Sequence, residues 1–388
     1  MKKIITILLA VMCLFSLAAC SNGNGGNTNN GGETSGNENA SIMIGGSGPL
    51  TGGAALYGMA VNRGAQIAVD EINEKEGYEY FTLNIQDDAH DAEQAVNAFY
   101  KLIDDGMQVS LLCVTSAPAA AVAGLTQDED IFAITPSGSR DDIPTYGNNI
   151  FQMCFTDSNQ GTGSADYFSE HFADKKIGII YQSSVDYSKG IYQTFVEEAN
   201  VLGLNVVETQ AFTDEKDFSV QISKLKDAGA EVVFLPIYYD EASMILTQAG
   251  DYKPVWFGVD GMDGILGVEN FDTSLAEGVY LLTPFAADAT DDLTVSFVNK
   301  YNELYGEVPM QFAADAYDAV YVLYNACKNG NVTADMSRSE ISAILRDQVT
   351  TMTFNGLTGT NVTWDASGEV SKKPMAVVIE GGVYVLAQ

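Results

Sequence analysis

Basic side chains are scarce in this 388-residue chain: 19 Lys+Arg stand against 52 Asp+Glu, a formal charge of −33 at pH 7. A surface that acidic repels phosphate backbones, which excludes nucleic acid as a partner. Histidine is scarcer still, with only His90 and His171. Neither sits in a nucleophile motif, so no Ser/His/Asp or Cys/His set is credible and catalysis has no positive support. Beyond residue 20 the only cysteines are Cys113, Cys154 and Cys327. That odd set is too small for a disulfide scaffold or a multi-zinc site. Cys113 and Cys154 lie in apolar runs that read as strands, so buried free thiols are expected. What is present is a 46% hydrophobic, 18% charged composition that can bury a core. At about 150 residues per domain the length allows two or three domains.

The first 20 residues read as an address. Lys2 and Lys3 precede an apolar run from Ile4 to Ala19 that ends in Leu17-Ala18-Ala19-Cys20. The run has the length of a signal-peptide core and falls short of the roughly 20 apolar residues of a membrane span. Its end resembles the bacterial lipobox, which implies cleavage before Cys20 and lipidation of that thiol. Residues 21–40, SNGNGGNTNNGGETSGNENA, offer nothing to bury and read as a flexible tether. The folded region is expected to start near Ser41.

From there strands and helices alternate. Ile42 to Gly45 reads as a strand, followed by a helix with Tyr57, Val61, Gly64, Ala68 and Ile72 on one face. Strand Phe81–Ile85 leads to a helix capped by Asp91 and ended by Gly106, with Ala92, Ala95, Val96, Phe99, Leu102 and Ile103 at helical spacing. Strand Val109–Val114, helix Ala119–Thr126 and strand Ile131–Thr135 continue the series. A second series follows Asp157: helix 161–172, a helix carrying Tyr192, Phe195, Val196, Ala199 and Leu202 and ended by Gly203, and helices 218–228 and 241–249 alternate with strands 177–181, 205–209, 232–237 and 255–258. A strand near Val279–Pro284, helices Leu293–Tyr305 and Phe312–Cys327, and a hairpin of Pro374–Ile379 with Val383–Leu386 complete the chain. Such alternation predicts an α/β protein of two Rossmann-like lobes with parallel-dominated central sheets.

Four segments in order carry a family resemblance: GPLTGGAALYGMAVNRGAQIAVDEIN at 48–73, TPSGSRDDIPTYGNNIFQMCFTDSNQG at 135–161, Val185-Asp186-Tyr187-Ser188-Lys189-Gly190, and PIYYDEASMILTQAG with FGVDG at 236–250 and 257–261. Together they resemble the branched-chain amino-acid (Leu/Ile/Val) binding proteins of ABC importers, of the type I periplasmic binding fold. The resemblance covers essentially all of 41–388. It implies three crossings between lobes, near Asp157, Pro284–Ala287 and Phe354–Gly356. The lobes would be 41–156 with 286–353, and 157–285 with 354–388, closing by hinge motion on a ligand at the carboxyl ends of the strands.

A free amino acid is a zwitterion, so its site needs an anion cradle and a separate cation acceptor. Thr115, Ser116, Ser137, Gly138 and Ser139, all at strand-to-helix turns, offer hydroxyls and amide dipoles for a carboxylate without a basic side chain. Such turns also simply cap helices; the resemblance favours the binding role. It implies that Ser116 and Ser139 give hydroxyls to the carboxylate and that Ser137 contributes backbone groups, where the family more often has Ala and Thr at 137 and 139. It places the ammonium acceptor at Asp260, usually a longer glutamate, with Tyr238 nearby and Asp263 a neighbouring candidate. Tyr57, at a position often Trp, would lid the side-chain pocket, with Tyr187 approaching from the other lobe.

Other readings are weaker. Gly46–Gly52 lacks the acid that a dinucleotide site needs about 20 residues on. Asp87, Asp88, His90 and Asp91 resemble a hard-cation cluster, but paired acids at this point also occur in the binding-protein family. The expectation is therefore a monomeric, non-catalytic solute-binding lipoprotein without cofactor or metal, lipid-anchored outside the cytoplasm and partnered by ABC permease subunits. It would bind a branched-chain or other apolar amino acid. Alternatives are an aromatic amino acid, an amide, a short-chain acid or a chemoreceptor partner on the same fold, or a surface enzyme or adhesin.

Overall fold

Strand–helix alternation in the first third of the chain gives β1 (Ile42–Gly48), α1 (Ala55–Glu76), β2 (Phe81–Asp87), α2 (Ala92–Asp104), β3 (Val109–Cys113), α3 (Ser116–Asp128), β4 (Phe132–Thr135) and β5 (Ile150–Gln152) in a computed structural model that describes residues 40–387. The expected leader with Cys20, and all of the expected tether but Ala40, lie outside the described residues. The middle third gives α4 (Asp157–His171), β6 (Lys176–Gln182), α5 (Asp186–Leu202), β7 (Asn205–Phe212), α6 (Ser219–Ala228), β8 (Val232–Leu235), α7 (Tyr239–Gln248), β9 (Val255–Gly258) and β10 (Tyr280–Thr283). Three helices follow, α8 (Asp292–Tyr305), α9 (Gln311–Gly330) and α10 (Arg338–Val349), then the short pair β11 (Phe354–Gly356) and β12 (Gly359–Val362), and the hairpin β13 (Met375–Glu380) and β14 (Val383–Leu386).

Among the described residues the strands assemble into two main sheets. The first has the order β2-β1-β3-β4-β5 and is parallel throughout. The second has the order β14-β13-β10-β9-β8-β6-β7. It is parallel from β7 to β10 and antiparallel where the C-terminal hairpin joins. The α/β class with parallel-dominated sheets is as expected. Strands such as β3, β4 and β8 are buried along their whole length, as helices on both faces require. The strands of this sheet run parallel, so the loops after β1, β3 and β4 gather at its carboxyl edge. The loops after β6, β8 and β9 do the same in the second sheet.

Local signals explain most boundaries. Asp91 caps α2 by accepting from the Gln94 N–H (2.8 Å), as its position predicted. Helices α5 and α6 end on Gly203 and Gly229 in the left-handed conformation. Several boundaries differ from expectation. Helices α3, α4 and α7 start at Ser116, Asp157 and Tyr239, earlier than the apolar repeat indicated. Their first turns face the gathered loops and carry polar residues, so hydrophobic spacing begins about a turn late. Strand β5 is too short to show a period, and polar α10 was not expected although Ser337 and Glu340 form a full capping box. Cys154 lies in a bend after β5 and not in a strand, while Cys113 ends β3. All three thiols are buried and free, as expected.

The long helices α1 and α9 pack against each other, and α10 packs on α9 and on the first sheet. Contact between α1 and α9 is so close that a Cβ on Gly64 would stand 2.0 Å from the Ala313 carbonyl oxygen. Backbone cannot yield there as a flexible side chain would. Gly64→Ala is therefore expected to destabilise the protein by about 1–3 kcal/mol through overpacking, despite alanine's better helix propensity of about 1 kcal/mol. Urea denaturation checks this.

Candidate functional site

The gathered loops of the two sheets enclose a cavity of about 20 Å³. From the first sheet come Val114, Thr115 and Ser116 after β3, and Ser137 and Ser139 after β4. From the second come Tyr187 after β6, Tyr238 after β8, and Asp260 and Gly261 after β9. Tyr57, near the start of α1, and Phe312, at the start of α9, complete the wall. Eight of the nine expected ligand residues thus meet at one point: Tyr57, Thr115, Ser116, Ser137, Ser139, Tyr187, Tyr238 and Asp260. Gly138 does not line the cavity. Its N–H donates to Thr135 Oγ1 (2.7 Å) and its carbonyl accepts from Gln152 Nε2 (2.9 Å), so its backbone groups serve the loop.

No lining residue is basic, so an anion here meets only hydroxyls and amide dipoles. Ser139 N–H donates to Ser116 Oγ (3.2 Å), whose oxygen stands 3.4 Å from Ser139 Oγ. Ser137 Oγ donates to the Val114 carbonyl (2.6 Å). Ser116 opens α3, where the first-turn N–H groups have no intrahelical partner. Pro118, two residues on, carries no N–H at all. The free donors of α3 are therefore concentrated on Ser116 and Ala117, next to the serine pair.

The opposite wall is acidic. Asp260 is 3% exposed, and its Oδ1 accepts from the Tyr187 hydroxyl at 2.5 Å. Tyr187 Oη in turn accepts from the Gly261 N–H (2.9 Å), and Gln160 Oε1 accepts from the Asp260 N–H (3.2 Å). Burial pushes the Asp260 carboxyl up to about 7 against these hydrogen bonds. Asp157, the first residue of α4, is also buried, and its Oδ1 has no partner. Burial pushes Asp157 well above the carboxylate range, and the Asp260 charge adds to the effect. Two carboxyl groups are thus held out of water on this side of the site, with no basic residue among those that line the cavity.

Between these ends the wall is aromatic. Tyr187 and Tyr238 stack at 4.7 Å, and Tyr57 meets Tyr238 and Phe312 edge-on at 5.5 and 4.8 Å. The Tyr57 hydroxyl donates to the Gly261 carbonyl and accepts from the Tyr239 N–H (3.3 Å). Tyr239 reaches back, donating its hydroxyl to the Gly53 carbonyl (2.7 Å). These bonds tie the start of α1 to the start of α7 across the mouth. Asp263, the neighbouring acidic candidate, points elsewhere: its Oδ2 accepts from the Gln311 N–H (2.9 Å) at the start of α9, and it borders a separate 10 Å³ cavity.

Sequence reasoning missed Phe312, Gly261 and Val114 as wall residues and Asp157 as a second acid. Gly261 and Val114 adjoin expected residues and were within reach of the same argument. Phe312 was legible only as the first apolar residue of a helix, since its approach to Tyr57 depends on the packing of α9 on α1.

The sequence profile of the periplasmic binding protein family matches residues 41–382. A Leu/Ile/Val-binding protein homologue from Brucella melitensis is 30% identical over 300 residues, 76% of this chain and 81% of its own length. The Leu/Ile/Val-binding protein BraC3 of Rhizobium johnstonii is 29% identical over 359 residues, 90% of this chain and 94% of its own. Among solved structures, the branched-chain amino acid transporter substrate-binding protein LivJ of Streptococcus pneumoniae, in complex with isoleucine, superimposes with a TM-score of 0.81 at 27% identity. That likeness covers 90% of this chain and 99% of LivJ.

Proposed function

Because the chain belongs to the periplasmic binding protein family, an extracytoplasmic family of solute-binding proteins, we propose that it captures a branched-chain or other apolar amino acid for an ABC importer. The observation that carries this reading is the polarity of this cavity: serine hydroxyls and a helix start on one side, the buried Asp260 carboxyl on the other, and tyrosine rings between. A carboxylate suits the first end and an ammonium the second, where the charge-assisted bond is strong. At about 20 Å³ the cavity has room for little more than a water, so a ligand would enter with the lobes apart, and the rings would then take its aliphatic side chain out of water at roughly 25 cal/mol per Å².

The two lobes of the proposal are 41–156 with 286–353, and 157–285 with 354–388. Sheet membership supports this division up to residue 353 and again from β13 onward, as does the packing of α9 on α1. Residues 354–372 stay close to the first lobe: Leu357 and Thr358 donate their N–H groups to Asp318 on α9, and Trp364 Nε1 donates to the Gln152 carbonyl (2.7 Å). The lobes close because the ligand touches both; contacts to one lobe alone would not shift the equilibrium. The closed pair then presents one surface to the permease. Cys20 would carry the lipid that holds a monomeric body at the cell membrane by the 21–40 tether.

A thermal-shift panel of the twenty amino acids tests the reading, with des-amino and des-carboxy analogues of any hit. Leucine, isoleucine or valine is expected to raise the melting temperature, with both analogues far weaker. Stabilisation by an analogue equal to that of the parent amino acid would contradict the two-ended site.

A further inference from the structure

Between β2 and α2 the chain places two consecutive non-glycine residues in the left-handed region, Ala89 at φ 48° and His90 at φ 62°. Side chains with a Cβ avoid that region, so the turn must be held. Asp87 accepts from the Leu50 N–H (2.9 Å), the Thr51 hydroxyl (2.7 Å) and the Ala89 N–H (2.9 Å). Asp88 accepts from the Ser47 hydroxyl (2.8 Å) and the His90 N–H (3.0 Å). The acids that resembled a cation cluster are thus spent on the turn. Its effect is to aim the His90 ring at the wall of the cavity. Nδ1 stands 2.9 Å from Thr115 Oγ1, and the ring meets Tyr238 edge-on at 5.7 Å.

Thr115 is the N-cap of α3, yet its side chain makes no capping bond. The usual partner of such a hydroxyl is the N–H two or three residues inside the helix, and here the third residue is Pro118, which has none. The hydroxyl therefore has two neighbours, His90 and the cavity. A hydroxyl owns one proton. If His90 Nδ1 accepts that proton, Thr115 offers the cavity only lone pairs, which repel a carboxylate. If Nδ1 carries a hydrogen and donates it to Oγ1, the Thr115 proton is free to point into the cavity.

We propose that His90 is a positioning residue for the anionic end of the ligand: its Nδ1–H holds Thr115 Oγ1 as acceptor, turning the Thr115 hydroxyl into a donor for the ligand carboxylate beside Ser116 and Ser139. The inference rests on the reading of the cavity as an amino-acid site. No charge on His90 is required. Burial pushes its pKa below the ordinary value, opposed by Glu241 on α7 and Asp91 at the start of α2, and a neutral imidazole with its hydrogen on Nδ1 suffices.

The test uses calorimetry on the full chain with two probes, L-leucine and L-leucinamide, the latter lacking the carboxylate charge. His90→Ala is expected to weaken leucine binding about tenfold, the worth of one charge-assisted hydrogen bond. The same variant should weaken leucinamide less than about threefold, since a neutral amide gains little from that bond. His90→Asn, which keeps an N–H donor and tolerates the left-handed region, is expected to restore leucine affinity. Thr115→Val should cost as much as His90→Ala, and the double variant no more than either alone. Equal losses for both probes, failure of asparagine to rescue, or additive losses would overturn the proposal. Should His90→Ala not fold, nitrogen NMR of the unaltered protein decides: with His171 the only other histidine, the leucine-bound His90 should carry its hydrogen on Nδ1, and a hydrogen on Nε2 overturns it. If the unaltered protein binds leucine while these results fail, only His90's role falls; if it binds neither probe, the binding reading falls as well.

Discussion

Asp260→Asn is expected to weaken amino-acid binding by an order of magnitude or more, because it removes the acceptor charge and little else. Asparagine can still accept the Tyr187 hydroxyl proton, so the wall keeps its shape. The lost charge-assisted bond is worth about 1.5–3 kcal/mol, which is roughly ten- to a hundredfold in affinity. The pH dependence is more diagnostic. With Asp260 raised to about 7 by burial, an ammonium must displace its proton below that pH. Affinity should therefore fall about tenfold per unit as pH drops below 7 and level off above it. The variant should lack that slope. For the empty protein the sign reverses. A carboxyl whose folded pKa exceeds its unfolded value of about 3.9 contributes stability below pH 4 that is lost as pH rises through 7. A permanently neutral asparagine avoids the loss, so the empty variant should melt at or above the parent at pH 8. Calorimetry between pH 5.5 and 8.5 with matching melts checks both; unaltered affinity at pH 8 would remove Asp260 from the site.

Lys372→Ala should have the largest effect on stability. The Lys372 side chain is 1% exposed, and its ammonium donates to Asp315 Oδ1 and to Thr358 Oγ1, each at 2.6 Å. The Thr358 hydroxyl in turn donates a hydrogen bond to Asp318 Oδ2 (2.6 Å), so one cation serves two buried acids of α9. Even so, burial holds Asp315 up at about 6. Removing the lysine leaves a buried acid without a partner, a change that typically costs about 3–5 kcal/mol. The cost should be smaller at pH 5, where Asp315 takes up a proton, than at pH 8. Adding Asp315→Asn should recover much of the loss. Urea denaturation at the two pH values measures this, and a pH-independent loss would mean that packing, not charge, is at stake.

How far the sequence could be read depended on whether a residue's role was local. The capping of α2 by Asp91 and the Gly203 stop of α5 follow from a few neighbouring residues, and both were legible. Ser116, Ser139 and Asp260 were legible as turn residues after strands, because parallel sheets bring such turns to one edge. The family resemblance then assigned them to opposite ends of a ligand. Asp157 showed only as a hinge marker: its burial follows from the Ser139 loop, whose carbonyl accepts the Asp157 N–H (2.8 Å), and from Gly190 of α5, which lies so near that an added Cβ would touch the Asp157 carboxylate. The His90–Thr115 contact joins residues 25 apart through a turn conformation that no spacing rule encodes. Polar α10 shows little apolar periodicity, and its capping box marks only where it starts.

The thiols of the folded body bear on how lobe closure could be watched. Cys113, Cys154 and Cys327 are all buried, and burial pushes each pKa upward, to about 12 for Cys327, so none offers a thiolate at neutral pH. A thiol-reactive dye should pass them by while the fold is intact. Gly53 is exposed at the mouth, and a Cβ there would lie 3.7 Å from Asp240 Oδ2 on the facing side. Gly53→Cys would be the lone dye target in the folded body, and its fluorescence would report on the mouth of the cavity as a ligand binds.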